Sequence, residues 1–194
     1  MLEYQRPGRN KDTAINSTYI NSGEYRRKFD KITSNVDMNR ILYTKAKEML
    51  FHRSGTLYED MYWFDLDTGD IIASALDEKE EEKIEYSASI LKAIKNRDNL
   101  IAMHTHPNSM PPSIADFNSC FEHNYAICLI ICHNGTIYSY NSDQKTPKNL
   151  YELYINKYRN AAYVNDMDAE RKVQSMALEQ ISRSYKINFQ EVGQ

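Results

Sequence analysis

The stretch from Leu100 to Phe117, "LIAMHTHPNSMPPSIADF", decides how the rest of the chain is read. Its apolar opening reads as a short buried strand, and two histidines close it. Successive side chains of a strand point to opposite faces, so His104 and His106, two apart, share one face. Their imidazoles then converge on one point beyond the strand's end. The three prolines of "PNSMPP" cannot sit in a helix interior or a central strand, so that segment is a loop. Ser113 falls where an N-cap is needed for a helix beginning "IADFNSCFEH".

Working outward, "VDMNRILYTKAKEML" (Val36–Leu50) has Ile41, Leu42, Ala46, Met49 and Leu50 at helical spacing. Asn35 or Asp37 can cap it, and Gly55 in "HRSG" offers a left-handed residue at its end. Met61–Leu66 reads as an aromatic-rich strand, "DTGD" as a turn, and Ile71–Leu76 as the returning strand. "DEKEEEKIEYSASILKAIKNRDN" is expected to be a helix, acidic at its start and basic at its end, with Ile84, Ala88, Leu91 and Ile94 or Lys95 buried. "AICLIICHNGTIYSYN" is a strand, an Asn-Gly turn and a second strand. After Pro147, "PKNLYELYINKYRNAAYV" and "AERKVQSMALEQISRSY" read as helices joined near "NDMD". The first ~30 residues lack periodicity and read as irregular or partly extended. The whole is an α/β or α+β domain with a mixed sheet flanked by helices. It is expected to divide into an N-terminal extension (1–34), a central domain that carries both histidines (35–146) and a C-terminal helical segment (147–194).

Two histidines on one strand face suit a shared metal ion, and Asp116, near the first turn of the next helix, can return as third ligand. Two nitrogens and one carboxylate leave a tetrahedral position open for water, as in a catalytic zinc site. Such chemistry also needs a general base. Glu59 is the best candidate, because it immediately precedes the strand "DMYWFDL"; Asp60 should face the other way. Ser113 can supply a hydroxyl to a developing oxyanion while capping the helix that carries Asp116. Each piece also has an ordinary reading. A histidine is more often structural than a ligand, Ser-x-x-Asp is a common helix start, and a lone glutamate is usually a solvated charge. Their joint occurrence in a suitable order carries the argument. His52, His123 and His133 read as structural or solvated.

"HTHP", a loop and then "SIAD", behind an upstream glutamate, resembles the JAMM (MPN-plus) metallopeptidases. The resemblance spans roughly Asn35 to Ser142. It implies a cytidine-deaminase-like mixed sheet, one zinc ion with a bound water, and hydrolysis of a peptide or isopeptide bond, with a ubiquitin-like C-terminus among the substrates. Carried over, it implies His104, His106 and Asp116 as zinc ligands, Glu59 as general acid/base and Ser113 as oxyanion donor. The loop between His106 and Ser113 holds one residue fewer than the commoner family spacing. Glu78, Glu80, Glu81, Glu82 and Glu85 are rivals to Glu59 by count, but fall on the expected second helix, facing solvent. The compact segment after "HTHP" fits a minimal bacterial or phage-type member.

Composition bounds the alternatives. At 194 residues, 41% hydrophobic and 26% charged, with a formal charge of −3, the chain reads as one soluble globular domain. That balance gives no nucleic-acid footprint. The apolar run Tyr125–Cys132 is too short to span a membrane, and the polar N-terminus has no signal-peptide core, so the cytoplasm is the default location. Cys120, Cys128 and Cys132 read as buried free thiols. A zinc-binding module without hydrolysis, resembling the RadC-like relatives, is the second reading. A barrel-type His-x-His hydrolase needs more ligands and a longer chain.

Overall fold

The computed structural model describes residues 10–161 and 166–193. Among the described residues six strands form one mixed sheet in the order β2-β1-β3-β4-β5-β6. These are β1 (Met61–Asp65), β2 (Ile71–Ala75), β3 (Leu100–His106), β4 (Ile127–Cys132), β5 (Ile137–Ser142) and β6 (Ile187–Glu191). Only β3 and β4 run parallel; every other neighbouring pair is antiparallel. A parallel pair needs a crossover, and α5 (Ile114–His123) provides it. The fold is therefore α+β, with helices on both faces of the sheet.

One face carries α1 (Ser17–Ile20), α2 (Gly23–Phe29) and α3 (Val36–Arg53). Their Tyr25, Phe29, Leu42 and Leu50 pack on Ile101, Met103, Leu129 and Ile131. Asn35 caps α3 by accepting from the backbone of Asp37 and Met38, and Gly55 takes a positive φ of 77° beyond its end. The other face carries α4 (Ala88–Ile94), α5 and α7 (Met167–Ser182). There Trp63, Leu100, Ala102 and Cys128 meet Ile90, Phe117, Leu178 and Ile181. The parity of β3 makes the division: even-numbered residues face α5, odd-numbered ones face α3.

Four local readings change. Residues 10–34 are not irregular; they carry α1 and α2, each started by a side-chain cap from Asn16 or Ser22, and they complete one core. The first nine residues lie outside the description. The acidic stretch 77–87 is not helical, and only Ala88–Ile94 forms the expected second helix, capped by Ser87. Glu78–Glu82 and Glu81–Glu85 would stack like charges at i,i+4, which disfavours a helix. Within α4 the buried residues are Ile90 and Ile94, while Leu91 is exposed. The chain after Pro147 is helical in α6 (Lys148–Ala161) and α7 but then adds β6, an edge strand paired with β5. Residues 162–165, at the expected "NDMD" junction, lie outside the description. Among the described residues no helix is long and apolar enough to cross a membrane.

Candidate metal centre

Strand register brings the polar groups together. Met61 of β1 pairs with His104 of β3, and the ladder continues past the strand end through Thr105 N–H donating to the Asp60 carbonyl (3.0 Å). The next residue, Glu59, therefore stands beside His106, with its Oε1 4.0 Å from His106 Nε2. Glu59 shares a face with Met61 and the histidines. Asp60 points the other way, as alternation requires. There Asp60 binds Arg53 Nε (2.5 Å) and His52 Nδ1 (2.6 Å), and its backbone N–H donates to Thr105 Oγ1 (3.0 Å).

His104 and His106 are buried with their rings edge-to-face and their Nε2 atoms 3.1 Å apart. His106 Nδ1 lies 2.9 Å from the Met110 carbonyl. A carbonyl only accepts, so Nδ1 carries the proton and Nε2 presents a lone pair to the cleft. A backbone carbonyl behind the ring is the usual partner of a metal-ligating histidine. His104 Nδ1 is buried and has no partner among the described residues. Burial pushes the His106 imidazole down to about 4, keeping it neutral.

Asp116 arrives from the other side. Ser113 Oγ accepts from Asp116 N–H (3.2 Å), and Asp116 Oδ2 accepts from Ser113 N–H (2.7 Å), a reciprocal capping box at the start of α5. Its Oδ1 lies 3.3 Å from His104 Nε2, and its Oδ2 lies 3.6 Å from His106 Nε2. The neighbouring imidazoles hold this carboxyl well below the ordinary range, against the burial that pushes it up. Glu59 moves the opposite way. Burial raises it, and the charges of Asp116, Glu82 and Glu78 raise it further. Two carboxylates in one site thus have opposite proton affinities.

All five residues singled out in the sequence line one cleft of about 360 Å³. Glu59, His104 and His106 form a buried group whose ligand atoms all lie within 4.8 Å of one another, close enough to hold a metal ion. No family model, curated protein or solved structure matches this chain.

Some of the cleft had no signal in the sequence. The acidic segment does not project into solvent as a helix; it forms a wall. Glu82, at φ 54°, accepts from Asn108 Nδ2 (2.9 Å), which ties the wall to the His106–Ser113 loop. Tyr86 lines the cleft too, its ring stacked on His123 and its hydroxyl 2.9 Å from Ser119 Oγ. From α7, Gln174 closes another side. His133 is structural rather than solvated: it is buried, donates from Nδ1 to the Thr13 carbonyl at 2.6 Å, and its backbone N–H donates to the His106 carbonyl at 3.3 Å.

Proposed function

We propose that this chain is a zinc-dependent metallopeptidase of the JAMM type, hydrolysing a peptide or isopeptide bond at the C-terminus of a ubiquitin-like protein. The observation that carries the reading is the spacing of the four groups. Donors about 2.1 Å from one tetrahedral centre stand about 3.4 Å from each other. The His104–His106 separation of 3.1 Å is near that edge, Asp116 turns one oxygen to each imidazole at 3.3 and 3.6 Å, and Glu59 stands further out, 4.0 Å from His106. This supports His104, His106 and Asp116 as ligands and Glu59 as the acid/base. Two imidazoles and a carboxylate are a donor set suited to zinc.

A zinc ion there would supply a polarised carbonyl and a water acidified to near neutrality. The chain's own groups do the rest. Glu59, raised by burial, takes the proton of the attacking water and returns it to the departing amine. Ser113 Oγ lies at the cleft wall and, in this reading, donates to the oxyanion. Its bond from Asp116 N–H uses an oxygen lone pair and leaves its own proton free to donate.

The test is metal content by mass spectrometry on wild type and His106→Ala, followed by cleavage assays on ubiquitin-like C-terminal fusions. The expected result is stoichiometric zinc in wild type and loss in the variant. Glu59→Gln should keep its zinc and lose turnover by about 10²–10⁴-fold. Equal, substoichiometric zinc in wild type and His106→Ala defeats the reading. Stoichiometric zinc with no cleavage of any fusion favours a binding module instead.

A further inference from the structure

We infer that Cys120 and Cys128 form a peroxide-sensitive dithiol that closes to a disulfide and ties α5 to β4. Cys120 lies on the inner face of α5, and Cys128 on β4. Their thiols are free and buried, and the Cys128 thiol donates to Cys120 Sγ at 2.6 Å. Bonding distance is about 2.0 Å, so closure asks almost no movement of helix or strand. The two elements are joined by a short turn that Asn124, in the left-handed region at φ 52°, closes. The loop between the sulfurs is therefore local and already ordered. Cys132, the third thiol, lies near the Met110 carbonyl (3.9 Å) and has no cysteine partner among the described residues.

The direction of the chemistry follows from the hydrogen bond. Cys120 is the acceptor and, with the Cys128 thiol donating to it, is held below its ordinary value. Cys120 itself is buried, and Ser119, the preceding residue of the same helix, lines the cleft from which a small hydroperoxide would have to reach it. The Cys120 thiolate attacks one peroxide oxygen. The O–O bond breaks, and the departing oxygen leaves as water with the proton of the Cys120 thiol. That gives a sulfenic acid. Cys128 then attacks Cys120 Sγ, the S–O bond breaks, and the second oxygen leaves as water with the Cys128 proton. Two thiols lose two electrons and the peroxide gains them. The proposal does not rest on the peptidase reading.

The experiment treats the full chain, reduced and then exposed to hydrogen peroxide, with an alkylating agent added on unfolding. Peptide mass analysis should find Cys120 and Cys128 linked and lighter by two hydrogens. Cys132 should be alkylated, and dithiothreitol should reverse the link. Oxidised protein should melt higher than reduced, and Cys128→Ala should abolish that shift. In Cys128→Ala, a sulfenic-acid trap should label Cys120. Recovery of both thiols alkylated after peroxide, or direct over-oxidation of either without a bridge, overturns the proposal. So does a bridge to Cys132.

Discussion

At the scale of single residues, the two carboxylates beside the histidines show how position sets chemistry. Asp116 faces the imidazoles and accepts from the Ser113 N–H, so its charge is favoured. Glu59 faces Asp116 across a buried gap, so its proton is favoured. His133, bonded through its backbone to His106, poses a related question. Burial lowers it to about 4, against 6.5 ordinarily. The unfolded chain therefore binds the extra proton first as pH falls. The stability that neutral His133 contributes is present above pH 6.5 and is lost on descent toward pH 4, roughly 3 kcal/mol in full. His133→Asn can keep a donor toward the Thr13 carbonyl without a titrating ring. Chemical denaturation at several pH values should show a flatter slope for this variant between pH 6.5 and 4; an unchanged slope defeats the assignment. That His104, His106, Ser113 and Asp116 would come together was legible because strand alternation and a helix cap are local rules. Glu59 was legible because it directly precedes a strand. Glu82 was not, because its partner Asn108 lies 26 positions away.

At the scale of elements, the sequence marked strands and helices wherever periodicity and turn residues agreed. The β4–β5 hairpin is such a case. Gly135 occupies its turn at φ 88°, and a Cβ there would meet the Tyr19 ring at 2.5 Å. Gly135→Ala should therefore lower the unfolding free energy by about 1–3 kcal/mol, through backbone strain and the displaced α1 side chain. Thermal or denaturant unfolding measures it, and a neutral result would mean that α1 yields. Two elements escaped the sequence reading for opposite reasons. The stretch 77–87 has the charge asymmetry of a helix, but its glutamates oppose one another at helical spacing. The strand β6 is short, "INFQE", and its alternation is too brief to read before its partner β5 is known. Its Phe189 packs beside Phe117 of α5, with ring centroids 6.4 Å apart, so the last strand supports the helix that carries Asp116.

At the scale of the molecule, the sheet separates two environments that touch through one peptide. Glu59 looks into the cleft and Asp60 into the α3 face, where it meets Arg53. Arg53, 1% exposed, also donates to the Leu76 carbonyl at 2.5 Å, linking α3 to the end of β2. Arg53→Met removes one half of a buried ion pair and should cost about 3–5 kcal/mol in denaturant unfolding; a loss below about 1 kcal/mol would show that His52 alone satisfies Asp60. The capping box has a different consequence. One carboxylate, Asp116, both fastens the first turn of α5 and faces the histidines. Whatever binds those histidines and that carboxylate also holds the helix start closed. Occupancy should then be written into the amide protons: hydrogen–deuterium exchange at 114–117 should slow when zinc is added and quicken with a chelator. Identical exchange with and without zinc would uncouple the two. That corner of the protein would thus report its own loading state, with no substrate in hand.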